Sequence, residues 1–451
     1  MDIFQKDNTL SDLPYDINDG ISDIERIAGR TIKELYDRNE ALLVFPNVLG
    51  GHHDGIESQQ IFTITKPEEG KIAVKTGNLM GFVGCGGSKI TIYSRFAESQ
   101  NGEKDYFLHY MLQRVFSINL FDLQHGIAAD DVFDFMLYLF PYHLKRAVSQ
   151  GLYREYCTRE YNDANVRGPI DVSRHIRRNI PFNGRIAYRT REYAYDNHVT
   201  QLIRHTIEYI RQHPFASAIL SADGAMRDAV AAIVAATPSY VAGNRQKVIG
   251  QNLRPARHPY FTEYLPLQRL CMNILQHRRL RYSSSGGKDI YGVLFDGAWL
   301  WEEYLYKAVL EGCGFKHPQN KSGKGGIYLF EKGDGDEYVG SRHRRYPDYF
   351  KDGVILDAKY KHLEDNKINR DDMHQLIAYM HVEQAEIGGF IYPNKNGVLT
   401  KKHLGELRGY KGKIYNIGVQ IPQKAESYKD FCEQMGKIEE DLKKVKFISQ
   451  E

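Results

Sequence analysis

The sequence has few cysteines and no long apolar run, and both absences exclude classes of protein. Its five cysteines among 451 residues are scattered, with no Cys-x-x-Cys pair and no Cys/His spacing typical of zinc. A disulfide framework and a structural zinc site are therefore not expected, and the protein is predicted to be reduced and intracellular. The longest apolar runs, residues 135–142 and 229–236, are far shorter than the roughly 20 residues that cross a membrane, so no membrane partner is expected.

The sequence also lacks a secretory signal and a nucleotide-binding loop. The N-terminus is acidic and has no apolar h-region, which favours a cytoplasmic location. Residues 81–89 are rich in glycine, but Gly87 stands where a Walker A motif has its lysine, and a strand-like run follows. We therefore predict a glycine-rich hairpin turn here and no nucleotide binding by this chain.

Charge is unevenly distributed along the chain. Lys and Arg total 60 and Asp and Glu total 57, so the net charge of +3 indicates no partner. Residues 1–40 carry ten acids and five bases, whereas residues 167–191 carry seven arginines and one acid, and residues 245–288 carry nine Lys/Arg and one acid. Basic stretches suit phosphate contacts, although a solvated basic face or pairing with the acidic N-terminus is an alternative. The candidate DNA-binding residues are Arg177, Arg178, Arg278 and Arg279.

Residue patterning predicts an α+β multidomain protein with three consecutive domains. Residues 1–150 combine a helical segment at 21–36 with alternating runs at 41–45, 60–64, 71–74 and 89–93, which are typical of an antiparallel β-rich domain closed by helix. Residues 151–285 show helical periodicity and are predicted to form a helical, basic middle region. The Ser/Gly-rich residues 283–287 resemble a linker, and residues 286–451 mix helix and strand signals.

A predicted hairpin in the last domain places two carboxylates together. Asp352-Gly353 between β-prone runs favours a two-residue turn, and counting outward sets Asp348 opposite Asp357, with Lys359 on the same face. Facing carboxylates repel each other unless a cation lies between them. A site with oxygen ligands, of which only a few are carboxylates, suits Mg²⁺. Lys359 would then orient a metal-bound water. The alternative is an exposed hairpin with an ordinary Asp–Lys pair.

Two helical patterns flank this hairpin. Upstream, Glu302 follows Trp301 at the start of an amphipathic helix and could deliver an acid to the metal, with Glu303 as the alternative. Downstream, Gln375 and Tyr379 are four residues apart and share a helix face, and a strand-like run at 388–393 follows. The alternatives are a salt bridge for Glu302, a surface position for Gln375 and a core position for Tyr379.

This order of elements resembles the PD-(D/E)xK nuclease fold, in its RecB-like branch with a Gln-x-x-x-Tyr helix. The wider chain resembles the McrC family, the nuclease subunit of McrBC-type restriction systems, including their LlaJI-type branch. The resemblance rests on residues 165–171, 189–193, 196–197 and 300–302. The resemblance implies a C-terminal α/β restriction-endonuclease-like domain. It also implies that Mg²⁺ is held by Asp348, Asp357, the Ala358 carbonyl and Glu302, that Lys359 activates water, and that Gln375 and Tyr379 support the site.

The same resemblance implies a Mg²⁺-dependent DNA endonuclease that acts in antiviral defence. Its partner would be a McrB-like AAA+ GTPase hexamer. Residues 1–150 would bind this hexamer and stimulate its GTP hydrolysis. Two alternatives remain open at the level of sequence. A stand-alone repair or processing nuclease would cut DNA without nucleotide, and a non-catalytic adaptor that activates an NTPase would function without the carboxylates.

Overall fold

The computed structural model describes residues 1–17, 20–36, 42–46, 56–96, 105–116, 129–212, 217–221, 223–256, 258–283, 290–318, 326–330, 344–363, 368–395, 399–409 and 411–448. Among these residues no helix combines the length and the apolar character needed to cross a membrane. The chain divides into two compact units, one formed by Met1–Val132 together with Gly286–Glu451, and one formed by Phe133–Ser285. We call them unit 1 and unit 2.

The described chain contains both strands and helices in its first, middle and last parts. The strands are β1 Asp2–Lys6, β2 Tyr15–Asp16, β3 Leu42–Phe45, β4 Phe62–Glu68, β5 Lys71–Thr76, β6 Leu79–Cys85, β7 Ser88–Tyr93, β8 Glu155–Asp163, β9 Ile186–Ala194, β10 Ile290–Asp296, β11 Ile327–Tyr328, β12 Arg344–Arg345, β13 Tyr349–Lys351, β14 Val354–Ala358, β15 Ile387–Asn394, β16 Thr400–Glu406 and β17 Lys413–Gln420. The α-helices are α1 Ile21–Glu25, α2 Ile32–Tyr36, α3 Tyr106–Phe116, α4 Ala129–Ser149, α5 Val172–Asn179, α6 His198–Arg211, α7 Gly224–Ala236, α8 Arg245–Gln251, α9 Tyr264–Ser283, α10 Gly297–Leu305, α11 Arg370–Val382 and α12 Tyr428–Lys443. This composition confirms the predicted α+β class.

Unit 1 contains two five-stranded sheets. The first sheet has the order β1-β7-β6-β10-β3, and a smaller sheet of order β2-β5-β4 shares its apolar core. The second sheet has the order β13-β14-β15-β17-β16, with β14, β15 and β17 parallel to one another. The predicted hairpin turn near Gly87 is confirmed, because it joins the antiparallel strands β6 and β7.

Strand β10 connects the two ends of the chain. It pairs antiparallel with β6 on one side and parallel with β3 on the other, so a strand from residues 286–451 lies inside a sheet otherwise built from residues 1–93. Two glycines permit this pairing. A Cβ on Gly292 would lie 2.4 Å from the Phe82 carbonyl oxygen, and Gly81 has a φ of +125° and would carry its Cβ 2.1 Å from the Val293 oxygen.

A buried acid also joins the two ends. Glu439 on α12 accepts hydrogen bonds from the hydroxyls of Tyr110 on α3 (2.8 Å) and Tyr304 on α10 (3.0 Å), and it forms an ion pair with Arg114. Buried carboxylates are stable only when they are paired and hydrogen-bonded, and these three partners meet that requirement. Helices from residues 105–116 and 297–443 are therefore fixed to one another.

The second sheet is covered by helices. Leu376, Tyr379 and Met380 of α11 pack on Ile355 and Phe390 in one apolar cluster. Helix α10 lies against the opposite face, where the Trp301 indole donates to the Ile391 carbonyl (3.3 Å) and the Tyr349 hydroxyl donates to the Glu302 carbonyl (2.7 Å). Strands β14 and β15 therefore lie between these two helices.

Unit 2 combines helices with a long β-ribbon. Helix α6 packs against α7, α8 and α9, and it begins with a capping box in which Asn197 and Thr200 exchange hydrogen bonds. Strands β8 and β9 pair antiparallel over their full length, and α5 packs on β9. Helical periodicity had predicted a helical region here. The ribbon was not predicted because arginines and tyrosines interrupt the apolar alternation that marks a strand.

The observed units differ from the predicted domains 1–150, 151–285 and 286–451. The first and last segments form one unit because they share β10 and the contacts of Glu439. Helix α4, predicted to close the first domain, lies mostly in unit 2. The predicted linker at 283–287 lies almost entirely outside the described residues.

Candidate active site

The β13–β14 hairpin has the register that the sequence predicted. Lys351 pairs with Val354 and Tyr349 pairs with Leu356, and Gly353 at the turn has a φ of +73°. The next positions outward are Asp348 and Asp357. The backbone N–H of Ala358 donates to Asp348 Oδ2 at 2.7 Å, which fixes the Asp348 carboxylate against the end of β14.

Asp357 is a buried acid beside a second acid. Its side chain is 3% exposed, and Lys359 Nζ lies 2.7 Å from its Oδ2. Burial and the negative charge of Asp348 together raise the pKa of Asp357 to about 8, although Lys359 opposes both effects. The anionic form of Asp357 therefore depends on nearby positive charge.

Lys359 contacts two carboxylates, not one. Its Nζ lies 2.7 Å from Asp357 Oδ2 and 3.4 Å from Asp372 Oδ1. Although burial disfavours the charged ammonium, Asp357, Asp348 and Asp372 together raise the pKa of Lys359. Lys361 binds the other oxygen of Asp372. Neither Asp372 nor Lys361 was predicted as a site residue. Asp372 nevertheless lies three residues before Gln375 and seven before Tyr379, the spacing of one helix face.

Helix α11 brings Gln375 and Tyr379 together. The helix begins after Asn369, whose side chain accepts from the N–H of Asp371 at 3.2 Å. Gln375 is exposed and its amide donates to the buried Tyr379 hydroxyl at 2.8 Å. Burial raises the pKa of Tyr379, and the charges of Asp348 and Asp357 add to this, so Tyr379 lies near both acids.

The two candidate helix acids have different surroundings. The Glu302 carbonyl accepts from Tyr349, while the Glu303 carboxylate lies 3.6 Å from His317 Nε2. The other ring nitrogen of His317 lies 2.6 Å from the Asp348 carbonyl oxygen. Burial alone would lower the pKa of His317, but Glu303 and Asp348 raise it. Glu303 is thus linked to the hairpin through His317, a connection that the sequence did not indicate.

The described side chains do not form a complete metal-ligand set. Within the described ranges, no group of three or more His, Cys, Asp and Glu side chains lies close enough to hold one ion. Of the predicted residues, the structure brings Asp348, Asp357, Lys359, Gln375 and Tyr379 together around the hairpin and α11. For Glu302 the contact with Tyr349 is made through its backbone carbonyl, and the role of its carboxylate as the acid from α10 stays a prediction.

The residue after Lys359 fixes the end of β14 in unit 1. Tyr360 is buried, its hydroxyl lies 2.7 Å from Ser94 Oγ, and the Arg95 guanidinium lies 5.1 Å from its ring centroid. Arg95 in turn forms a buried ion pair with Asp7. The backbone of Lys359 is therefore fixed in two ways: its N–H donates to the Ile391 carbonyl (2.8 Å), and the next residue, Tyr360, is anchored in this polar cluster.

The predicted DNA-binding arginines belong to unit 2. Arg177 and Arg178 lie in the last turn of α5 and are exposed. Other arginines of that stretch are paired internally: Arg174 donates to the carbonyls of Tyr161 (2.6 Å) and Tyr188 (2.8 Å), and Arg189 binds Asp171 (2.6 Å). The positions of Arg278 and Arg279 fall in α9, and their side chains lie outside the described residues.

The family of the chain is established by comparison with known proteins. The family described as "McrBC 5-methylcytosine restriction system component" matches residues 74–393. No curated protein matches the chain. Among solved structures, a chain of a half-complex from the tetradecameric assembly of Thermococcus gammatolerans McrB AAA+ hexamers with bound McrC is 16% identical, with a TM-score of 0.46 over 97% of this chain and 100% of that chain. A chain of the T. gammatolerans McrBC complex is 16% identical, with a TM-score of 0.33 over 68% of this chain and 86% of that chain.

The fold and the site define an α+β protein with an acid–lysine cluster at the end of a mixed sheet. The chain belongs to the McrBC 5-methylcytosine restriction system component family, which covers most of its length. The resemblance of the wider chain to this family is confirmed, and the PD-(D/E)xK fold of its last segment stays a prediction.

Proposed function

We propose that this chain is the endonuclease subunit of a McrBC-type restriction system and cuts DNA phosphodiesters with Mg²⁺. The observation that carries the proposal is the arrangement of Asp348, Asp357 and Lys359 at the end of the hairpin, in a chain of the McrBC family. Because the sequence has no Walker A motif, a partner AAA+ GTPase hexamer would supply the energy, and the chain would stimulate its hydrolysis. Restriction acts on DNA inside the cell, so we propose a cytoplasmic location.

The residues at the hairpin fit a hard divalent cation. Asp357 Oδ2 is buried and lies 2.7 Å from the Lys359 ammonium, and the neighbouring Asp348 supplies a second carboxylate. Oxygen donors of this kind are preferred by Mg²⁺. Asp348, Asp357 and the Ala358 carbonyl would hold the ion, with Glu302 as the acid from α10 and Glu303 as the alternative. Bound Mg²⁺ would stabilise the negative charge that develops on the phosphate.

The other residues would position water and DNA. The Lys359 ammonium is held beside Asp357 and would orient the attacking water or neutralise a phosphate oxygen. Tyr379 holds the exposed Gln375 amide through their hydrogen bond, and Gln375 would approach the DNA backbone. In unit 2, the exposed Arg177 and Arg178 would contact phosphates without reading sequence, and we propose the same for Arg278 and Arg279.

A cleavage assay with the full chain, the partner GTPase, GTP and Mg²⁺ tests this proposal. We expect Asp348→Ala and Asp357→Ala to abolish cleavage, and Lys359→Ala to slow it by about 10²–10⁴-fold while DNA and Mg²⁺ still bind. Asp352→Asn is the matched control, because it removes one carboxylate from the exposed turn of the same hairpin and keeps a turn-forming residue. It should cleave normally.

The outcomes separate the three functions. Cleavage by the isolated chain with Mg²⁺ alone would identify a stand-alone nuclease. Full restriction activity with Asp357→Ala, together with stimulated GTP hydrolysis, would identify a non-catalytic adaptor. Loss of cleavage in the hairpin variants with unchanged GTPase stimulation supports the proposed endonuclease.

A further inference from the structure

Four charged side chains alternate in sign at the end of β14. Asp357 contacts Lys359, Lys359 contacts Asp372, and Asp372 contacts Lys361. The first three side chains are mostly buried, with 3%, 18% and 17% of their surface exposed, whereas Lys361 is 38% exposed. Two acids thus compete for the ammonium of Lys359, and two ammonium groups compete for Asp372.

The position of Asp372 follows from helix geometry. It lies in the first turn of α11, directly after the cap formed by Asn369. Residues three and seven positions further along a helix share its face, and these residues are Gln375 and Tyr379. Because Tyr379 lies near both Asp348 and Asp357, the same face carries Asp372 to the lysine.

We propose that Asp372 is a positioning residue that draws the Lys359 ammonium away from Asp357 and so opens Asp357 to a divalent cation. An ammonium that binds Asp357 competes directly with a cation for the same oxygens. A second carboxylate 3.4 Å from the ammonium gives it an alternative partner and weakens this competition. Asp372 acts through Lys359 and is not itself a ligand. Lys361 limits the effect because it shares Asp372.

The inference rests on the proposed Mg²⁺ site, and a double-mutant cycle on the full chain tests it. Mg²⁺ affinity is measured by calorimetry without DNA for Asp372→Asn, Lys359→Met and the double variant. We expect Asp372→Asn to weaken Mg²⁺ binding by about tenfold, the scale of outer-shell effects on metal sites. In the Lys359→Met background the same substitution should change the affinity little, because no ammonium competes. Lys361→Met should tighten binding.

Asp371→Asn is the matched control. It removes the same charge from the same helix turn, but the Asp371 side chain is 76% exposed and pairs only with Arg370 among the described ion pairs. Its Mg²⁺ affinity should equal that of the wild type. Thermal unfolding without Mg²⁺ establishes that each variant is folded.

Three results would overturn the inference, and one of them also removes the proposed site. An equal loss of affinity in both backgrounds would make Asp372 a ligand or a structural residue. Unchanged affinity in Asp372→Asn would deny it any role while leaving the metal site intact. A wild-type chain that does not bind Mg²⁺ would refute the site at the hairpin together with the role of Asp372.

Discussion

Asp105 is a buried acid that precedes α3. Its carboxylate accepts hydrogen bonds from the N–H groups of Ser94 (2.7 Å) and Leu108 (2.9 Å), so it caps the helix. Burial, together with the negative charge of Asp7, nevertheless raises its pKa to about 6. Burial of the carboxylate outweighs the two hydrogen bonds because both donors are neutral.

The raised pKa of Asp105 predicts how stability depends on pH. In the unfolded chain the Asp105 carboxyl ionises at about pH 4, and in the folded protein it ionises at about pH 6. Between these two values the folded protein therefore binds one more proton than the unfolded chain. Its free energy of unfolding should therefore fall across this window relative to Asp105→Asn, by about 3 kcal/mol in total. Urea unfolding of both proteins at pH 4, 5, 6 and 7 measures this. If the free energies of unfolding of the two proteins changed with pH in parallel, Asp105 would be ionised in the folded protein throughout this range.

At the same scale, the sequence predicted part of the candidate site. The Asp352-Gly353 turn fixes the register, so the facing positions of residues 348 and 357 followed from counting. The contact of Asp372 with Lys359 could not be predicted in this way, since it depends on how α11 packs against the sheet. Whether Glu302 or Glu303 serves the site also depends on packing, and their roles stay predictions.

Among the elements, β10 shows the limit of sequence patterning. Residues 290–296 form a short apolar run, and that pattern says nothing about which strands will pair with it. Its partners β3 and β6 lie about 250 and about 210 residues earlier in the chain. Strands in the first segment were therefore predicted correctly, but the return of the last segment into the same unit was not.

The close approach of β6 and β10 predicts that Gly292→Ala is destabilising. A Cβ at residue 292 would lie 2.4 Å from the Phe82 oxygen and 2.9 Å from the Val83 Cα, and backbone atoms cannot move aside cheaply. We expect a loss of about 1–3 kcal/mol in the free energy of unfolding. The control is Gly436→Ala in α12, where nothing lies within 4 Å of the added carbon and helix propensity should give a small gain. Chemical denaturation compares the two, and equal stability would contradict the proposed clash.

For the whole molecule, the shared sheet predicts that unit 1 needs both ends of the chain. A fragment of residues 1–132 lacks β10 and the Glu439 partner of α3, so we expect it not to fold alone. Co-expressed with residues 286–451, it should form a stable complex that unfolds cooperatively. Residues 133–285 should fold independently as unit 2. Circular dichroism and co-purification measure this, and a cooperative thermal transition of fragment 1–132 alone would contradict it.

The place of β10 has a further consequence for biosynthesis. The ribosome completes β6 about 200 residues before β10, which at 5–20 residues per second is roughly 10–40 s. Throughout this interval the edges of β3 and β6 that later pair with β10 have no partner from their own chain. Exposed strand edges recruit strands of other molecules. Nascent chains of this protein should therefore depend on chaperones until unit 2 and β10 have been translated.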